Sequence, residues 1–298
     1  MADPTAPDSP YLTTAEAAAY LRLKERKVYD LAREGVIPCS KATGKLLFPR
    51  EMLDLWVLSH LEGDQRSARA TPRVLAGSSD PLLEWATRES GSDLALLFNG
   101  SRDGTKRLLH TEAMAAGVHL IDDRGAYNDP TALGLGGLRD LVIIGWAQRR
   151  QGLVTHPGNP KAITGLNDLA RPEVRIVGRQ PEAGAEALLQ RLLTQAQIPR
   201  DALCFTEHPA RSEDDLALTI RSGDADAGLA IEAAAHRHGL RFIPMQEERF
   251  DLALHRHSYF EPPIQKLLAF ARSRRFADHV ATLPGYDVRA LGTVRYNA

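Results

Sequence analysis

The chain has 298 residues, 43% of them apolar and 25% charged, with a formal net charge of −1 at pH 7. That apolar fraction supports more than one packed core, and near-neutrality excludes a globally basic nucleic-acid coat. The two cysteines, Cys39 and Cys204, lie far apart in sequence, which excludes a metal-type spacing and fits free thiols in a reducing compartment.

Taken in chain order, residues 1–10 (MADPTAPDSP) are polar and proline-rich, which predicts a disordered lead-in without the basic start and apolar core of a signal peptide. No apolar run approaches membrane-span length, so the expectation is a cytoplasmic protein with no membrane contact. From 11 to 61 the pattern is helical. Thr13-Thr14-Ala15-Glu16 has capping-box form, in which the Thr13 hydroxyl accepts from the Glu16 N–H and the Glu16 carboxylate reaches back. The helix AEAAAYLRL follows, with Ala17, Ala18 and Leu21 on one face. A second helix, about 24–34, turns Val28 and Leu31 inward and stops at Gly35. So short a connection predicts a helix-turn-helix. Ile37-Pro38, the polar tip CSKATGK and LLFP then fit a small β-hairpin wing. A third helix, starting at Pro49-Arg50, buries Leu53 and Trp56.

Residues 62–73, nearly free of large apolar side chains, have the composition of a linker. Over 74–298 short apolar runs (RVLAG, LALLFNG, LVIIGWA, VRIVG, DAGLAI, RFIPM) alternate with helical segments (PLLEWATRES, EALLQRLLTQAQ, PIQKLLAFARS). This alternation predicts an α/β domain with a largely parallel sheet. Three strand-to-helix loops stand out: GSSDP around Ser78 and Ser79, NGSRDG around Ser101, and RQPEAGAE from Arg179 to Glu186. In a two-lobed fold such loops converge on a cleft, where hydroxyls, an arginine and helix N-termini suit a small oxyanion. Each also has an ordinary reading. Ser78 and Asp80 serve as helix caps, Arg179 as a structural ion-pair partner, and Glu182 and Glu186 as carboxylates favoured at a helix N-terminus.

Residues 11–61 resemble the excisionase/MerR-like winged helix-turn-helix family. The resemblance rests on Leu12, Thr13, Glu16, Ala17, Ala18, Leu21, Val28, Tyr29, Leu31, Gly35, Ile37, Pro38, Lys45, Phe48, Leu53 and Trp56, which fall in the family's order. It implies a module that binds double-stranded DNA, with Lys24, Arg26, Lys27 and Arg33 facing DNA from the second helix and Lys41 and Lys45 from the wing. Basic and acidic residues balance over 1–61, so a solvated helix surface or a protein-interaction module is the competing reading. Clustering of Arg22, Lys24, Arg26 and Lys27 at the start of the second helix favours DNA.

Residues 74–298 are similar to the substrate-binding-like domain of bacterial regulators. The matching series is AGSSDPLLEWA, LALLFNGSRDG, RQGLVTHPGNP, VRIVGRQPEAGAEALLQRLL, SGDADAGLAI, FIPMQEERFDLAL and LPGYDVRALG. That domain has the type 2 periplasmic-binding-protein fold and is related to molybdate and tungstate binders. The resemblance implies an N-terminal all-α winged helix-turn-helix followed by a C-terminal α/β two-lobed ligand-sensing domain. Together they would make a one-component transcription regulator. Reading two half-sites calls for a homodimer, and with no nucleophile elbow, HExxH or catalytic pair in the sequence no enzyme is expected. Molybdate or tungstate would be the regulator's small anionic effector, with Ser78, Ser79, Ser101, Arg179 and Gly184 at the site and no further cofactor or metal. Two departures bear on the ligand. Glu182 and Ala185 stand where relatives carry glycine and threonine, and Ser212-Glu213-Asp214-Asp215 where a Thr-His pair is common. Acidic groups beside an anion disfavour it. A different small-molecule effector, or an excisionase-like architectural DNA-binding protein with no ligand, therefore stays open. The pairs His236/His238 and His255/His257 lack a third nearby ligand and read as surface polar residues.

Overall fold

The computed structural model describes residues 9–41, 44–59, 71–122 and 124–298. Most of the expected lead-in (1–8) and linker (62–70) therefore lies outside the described residues. The chain divides into two compact units, Met1–Arg69 and Ala70–Ala298.

In the first unit, β1 (Tyr11–Leu12) leads into α1 (Thr14–Leu21), α2 (Glu25–Arg33), β2 (Phe48–Pro49) and α3 (Arg50–Ser59). The capping box forms as its residues require: Glu16 N donates to Thr13 Oγ1 at 3.3 Å and Thr13 N to Glu16 Oε2 at 2.7 Å. Ala17, Ala18, Val28, Ile37, Phe48 and Leu53 are buried in one core, and Leu21, Leu31 and Trp56 pack on it half-covered. Ser40 and Leu47 exchange backbone hydrogen bonds of 2.8 and 2.9 Å at the base of the wing. The other pairing has no local signal: LLFP supplies β2, which pairs antiparallel with β1 at the module's own N-terminus.

The second unit contains β3 (Val74–Gly77), α4 (Pro81–Glu89), β4 (Ala95–Phe98), α5 (Ser101–Leu109), β5 (Ala115–Val118), β6 (Leu141–Thr155), β7 (Arg175–Val177), α6 (Gly184–Gln195), β8 (Cys204–Phe205), α7 (Glu213–Arg221), β9 (Ala227–Ile231), α8 (Glu232–Arg237) and β10 (Arg241–His255). After these come α9 (Arg256–Tyr259), α10 (Pro262–Phe270), α11 (Arg274–Val280), β11 (Tyr286–Asp287) and β12 (Val294–Asn297). The sheet runs β4-β3-β5-β10-β6-β9-β7-β8. Parallel pairing holds within each flank, β4-β3-β5 and β9-β7-β8. The centre is antiparallel: β6 and β10, 15 residues each, pair along their length.

These two strands pass between lobes, since 251–254 of β10 pair with β5 and 151–155 of β6 pair with β9. Each is far longer than its apolar run. The charged stretches QRRQ (148–151) and EER (247–249) continue the strands, and their alternation turns Arg149, Gln151 and Glu248 inward while Gln148, Arg150 and Glu247 face out. A bulge near Pro244, which has no N–H to donate, accommodates the proline. Separate apolar cores fill the lobes. One gathers Leu75, Leu83, Trp146, Phe250, Leu267 and Phe276; the other gathers Leu153, Val174, Ile176, Leu189, Leu193 and Leu229.

Candidate functional site

Three loop ends meet the paired strands β6 and β10 where the expected cleft between the lobes lies. Ser78 follows β3, Ser101 opens α5, and their hydroxyls lie 2.8 Å apart, both buried. Ser101 Oγ also accepts from the backbone N–H of His119, beyond β5, at 3.2 Å. A Cβ at Gly184 would lie 2.7 Å from the His119 ring, so glycine lets the start of α6 press against that imidazole. At Gly100 φ is +109°, and a Cβ would strike the Glu182 carbonyl oxygen at 2.3 Å; only glycine allows this approach of one lobe to the other. Ser78, Ser101 and Gly184 are thus brought together around His119. Ser79 is half-buried beside them.

Behind this rim lies a buried ionic network that the sequence did not disclose. Arg149, 1% exposed, donates from Nη1 to Asp80 Oδ2 at 2.8 Å and from Nη2 to Glu248 Oε1. Its guanidinium lies 4.4 Å from the centroid of the Phe250 ring. Glu248 faces His119 Nδ1 at 2.9 Å and accepts from Gln151 Nε2 at 3.1 Å. Asp80 caps α4 by accepting from Leu83 N at 2.7 Å and also takes the Tyr286 hydroxyl. Burial works to raise the Glu248 pKa, but Arg149 and His119 outweigh it and hold the carboxyl down at about 2. Burial first, and the Asp80 charge second, push the Tyr286 phenol well above its usual value. Among the described residues, Arg149 Nε, Gln151 Oε1 and Tyr127 Oη have no hydrogen-bond partner. Burial and then the charge of Glu248 push the Tyr127 phenol up.

Arg179 occupies a neighbouring position and is already engaged. Its Nη1 donates to Glu213 Oε1 at 2.7 Å, its Nε to Ala210 O at 3.2 Å and its Nη2 to Arg211 O at 3.4 Å. The other Glu213 oxygen accepts from Ile231 N at 3.1 Å. Glu186 turns to the Arg179 backbone N–H and to Arg200. Of the histidine pairs read as surface polar residues, His255 departs: it is buried, with Nε2 2.9 Å from Leu108 O and Nδ1 3.2 Å from Asp140. Among the described residues no three His, Cys, Asp or Glu are placed to hold a metal ion, and no helix is long and apolar enough to cross a membrane.

In the first unit Lys24, Arg26, Lys27, Arg33, Lys41 and Lys45 are all exposed. They fall into two groups. Lys24, Arg26 and Lys27 stand at the N-terminus of α2, while Arg33, Lys41 and Lys45 line a groove of about 690 Å³ between α2 and the wing. Tyr29, 57% exposed on α2 and lining the same groove, joins them; its exposure could not be told from its place in the helical pattern.

Comparison with known proteins agrees with this architecture. The model of the PBP superfamily domain matches residues 83–272. The chain belongs to the PBP superfamily. A helix-turn-helix domain model matches residues 11–60. The chain is 25% identical to the uncharacterized protein YvgK of Bacillus subtilis over 95% of its own length and 96% of that protein. Two solved structures share the fold of the PBP domain at low identity. A substrate-binding protein of Clostridium perfringens with bound phosphate is 14% identical over 70% of this chain and 96% of that one, with a TM-score of 0.52. The sulfate-binding protein SubI of Mycobacterium tuberculosis is 13% identical over 74% and 88%, with a TM-score of 0.50. Neither matched family model is that of a catalytic domain.

Proposed function

We propose that the protein is a ligand-responsive transcription regulator that binds double-stranded DNA through residues 11–61 and a small polar effector in the cleft of residues 74–298. The observation that carries this reading is the union in one chain of a helix-turn-helix unit with exposed α2 and wing cations and a PBP domain. The cations at the start of α2 suit phosphates and base edges, and those beside the wing suit the adjoining backbone. The effector changes DNA binding only to the extent that it distinguishes closed from open lobes. Reading two half-sites calls for a homodimer, and a chromosomal target places the protein in the cytoplasm. The test is a mobility-shift assay of the full chain on DNA from upstream of its own gene, against excess unrelated DNA. Sequence-selective retardation is expected; binding that unrelated DNA removes entirely would sink the reading.

A second reading keeps molybdate or tungstate as the effector. It draws on the fold relatives, one with bound phosphate and one named for sulfate, and on the Ser78–Ser101 hydroxyl pair. The Arg179–Glu213 ion pair weighs against it, because a divalent oxyanion would have to displace or tolerate a buried carboxylate.

A further inference from the structure

The reading of the cleft as an effector site leaves open which chemistry it accepts, and the buried groups speak to that. Glu213, 4% exposed, stands at the first turn of α7, where a helix N-terminus favours negative charge. Its two oxygens take the Arg179 guanidinium and the Ile231 amide, the kinds of donor an oxyanion would seek. The second lobe therefore supplies its own carboxylate to its own anion-favouring position. Beyond it, Arg149 is held by Asp80 and Glu248, and Glu248 also faces His119, so both buried guanidiniums already have carboxylate partners.

The spare acceptor points the same way, while the spare donor, Arg149 Nε, asks for an acceptor on the same ligand. Arg149 and Gln151 are both at least 99% buried, yet Arg149 Nε and Gln151 Oε1 have no partner among the described residues. Gln151 turns its oxygen away from Glu248, because the opposite orientation would set that oxygen against Glu248 Oε1, 3.1 Å from Nε2. Gln151 also stands opposite Ile231, the residue whose N–H Glu213 accepts. A buried acceptor of this kind is satisfied by a partner that brings a proton, as water or a ligand N–H or O–H does. Fully ionised tungstate or sulfate has acceptors alone.

We infer that Glu213 is a built-in anion in this cleft, so that the effector is a small polar molecule without net negative charge that brings an N–H or O–H donor to Gln151 Oε1. The inference rests on the effector entering this cleft. Glu213 thereby acts as a specificity-determining residue, and removing its charge frees Arg179 for an external oxyanion.

The test compares thermal unfolding of the full chain and its Glu213→Gln variant with sodium tungstate and with sodium sulfate. The wild-type midpoint is expected to stay where it is. That of Glu213→Gln should rise by about 5–10 °C at anion roughly a hundredfold above its Kd. A wild-type midpoint raised as much as the variant's overturns the proposal, and so does a variant that neither anion stabilises. Should Glu213→Gln fail to fold, the paired variant Arg179→Gln/Glu213→Gln removes both charges together and is expected to ignore tungstate. The wild-type measurement then decides alone, with any stabilisation by either anion against the proposal. Loss of selective DNA retardation by the wild type would instead sink the regulator reading and leave the tungstate comparison standing.

Discussion

Arg149 holds two buried carboxylates from opposite sides, Asp80 at the start of α4 and Glu248 at the crossover of β10. Removing one member of such a network strands the others without water or counter-charge. Arg149→Met keeps much of the volume and loses the charge, and is expected to cost about 3–5 kcal/mol. Urea unfolding of the full chain measures this, and a loss under about 1 kcal/mol would contradict the network's tight coupling. Glu248 adds a pH dependence. Its folded-state pKa, about 2, lies below the ordinary 4.5, so its contribution is present above 4.5 and is lost as pH falls toward 2. Thermal midpoints recorded from neutral pH down to about 2 should fall through that window. In Glu248→Gln that part of the acid sensitivity should be absent.

At the scale of elements, function depends on how closely backbones approach. The loop before α5 touches the loop before α6 because Gly100 has no side chain and holds φ at +109°. Gly100→Ala places a Cβ against the Glu182 carbonyl oxygen and is expected to part the lobes locally. A lowered thermal midpoint together with a larger radius of gyration in solution scattering would show this; an unchanged pair of values would contradict it. In the first unit, the N-terminus of α2 carries Arg26 and Lys27 free to meet phosphate. Alanine at either position is expected to weaken binding to all DNA sequences alike and to lower the salt slope of log K by about one, read from titrations at several salt concentrations.

For the whole molecule, the proposed coupling of DNA to effector is reciprocal: whatever factor the effector applies to DNA affinity, DNA applies to effector affinity. The proposed homodimer carries a separate prediction. Sedimentation equilibrium should give twice the chain mass at concentrations where the DNA complex forms, and a monomer mass there would exclude two-half-site reading by a preformed dimer.

The sequence by itself determined the helix-turn-helix module, because caps, turns and helical periodicity act within a few residues: Thr13 with Glu16, Gly35 after α2, Leu53 and Trp56 on α3. It also led to a largely parallel sheet, which holds in the two flanks but not in the antiparallel centre, and pointed to the loops of Ser78, Ser101 and Gly184, which follow from strand-to-helix order. Only the tertiary structure decided that QRRQ and EER are strand with one face buried. Charged residues at period two read as exposed until a partner strand sets Glu248 opposite Arg149. The same holds for Arg179. Its sequence context suggests an anion contact, but the carboxylate that occupies it comes from Glu213, 34 positions further along the chain. Local chemistry is written in neighbours, whereas the charge that a buried group meets is set by residues that only folding brings to it.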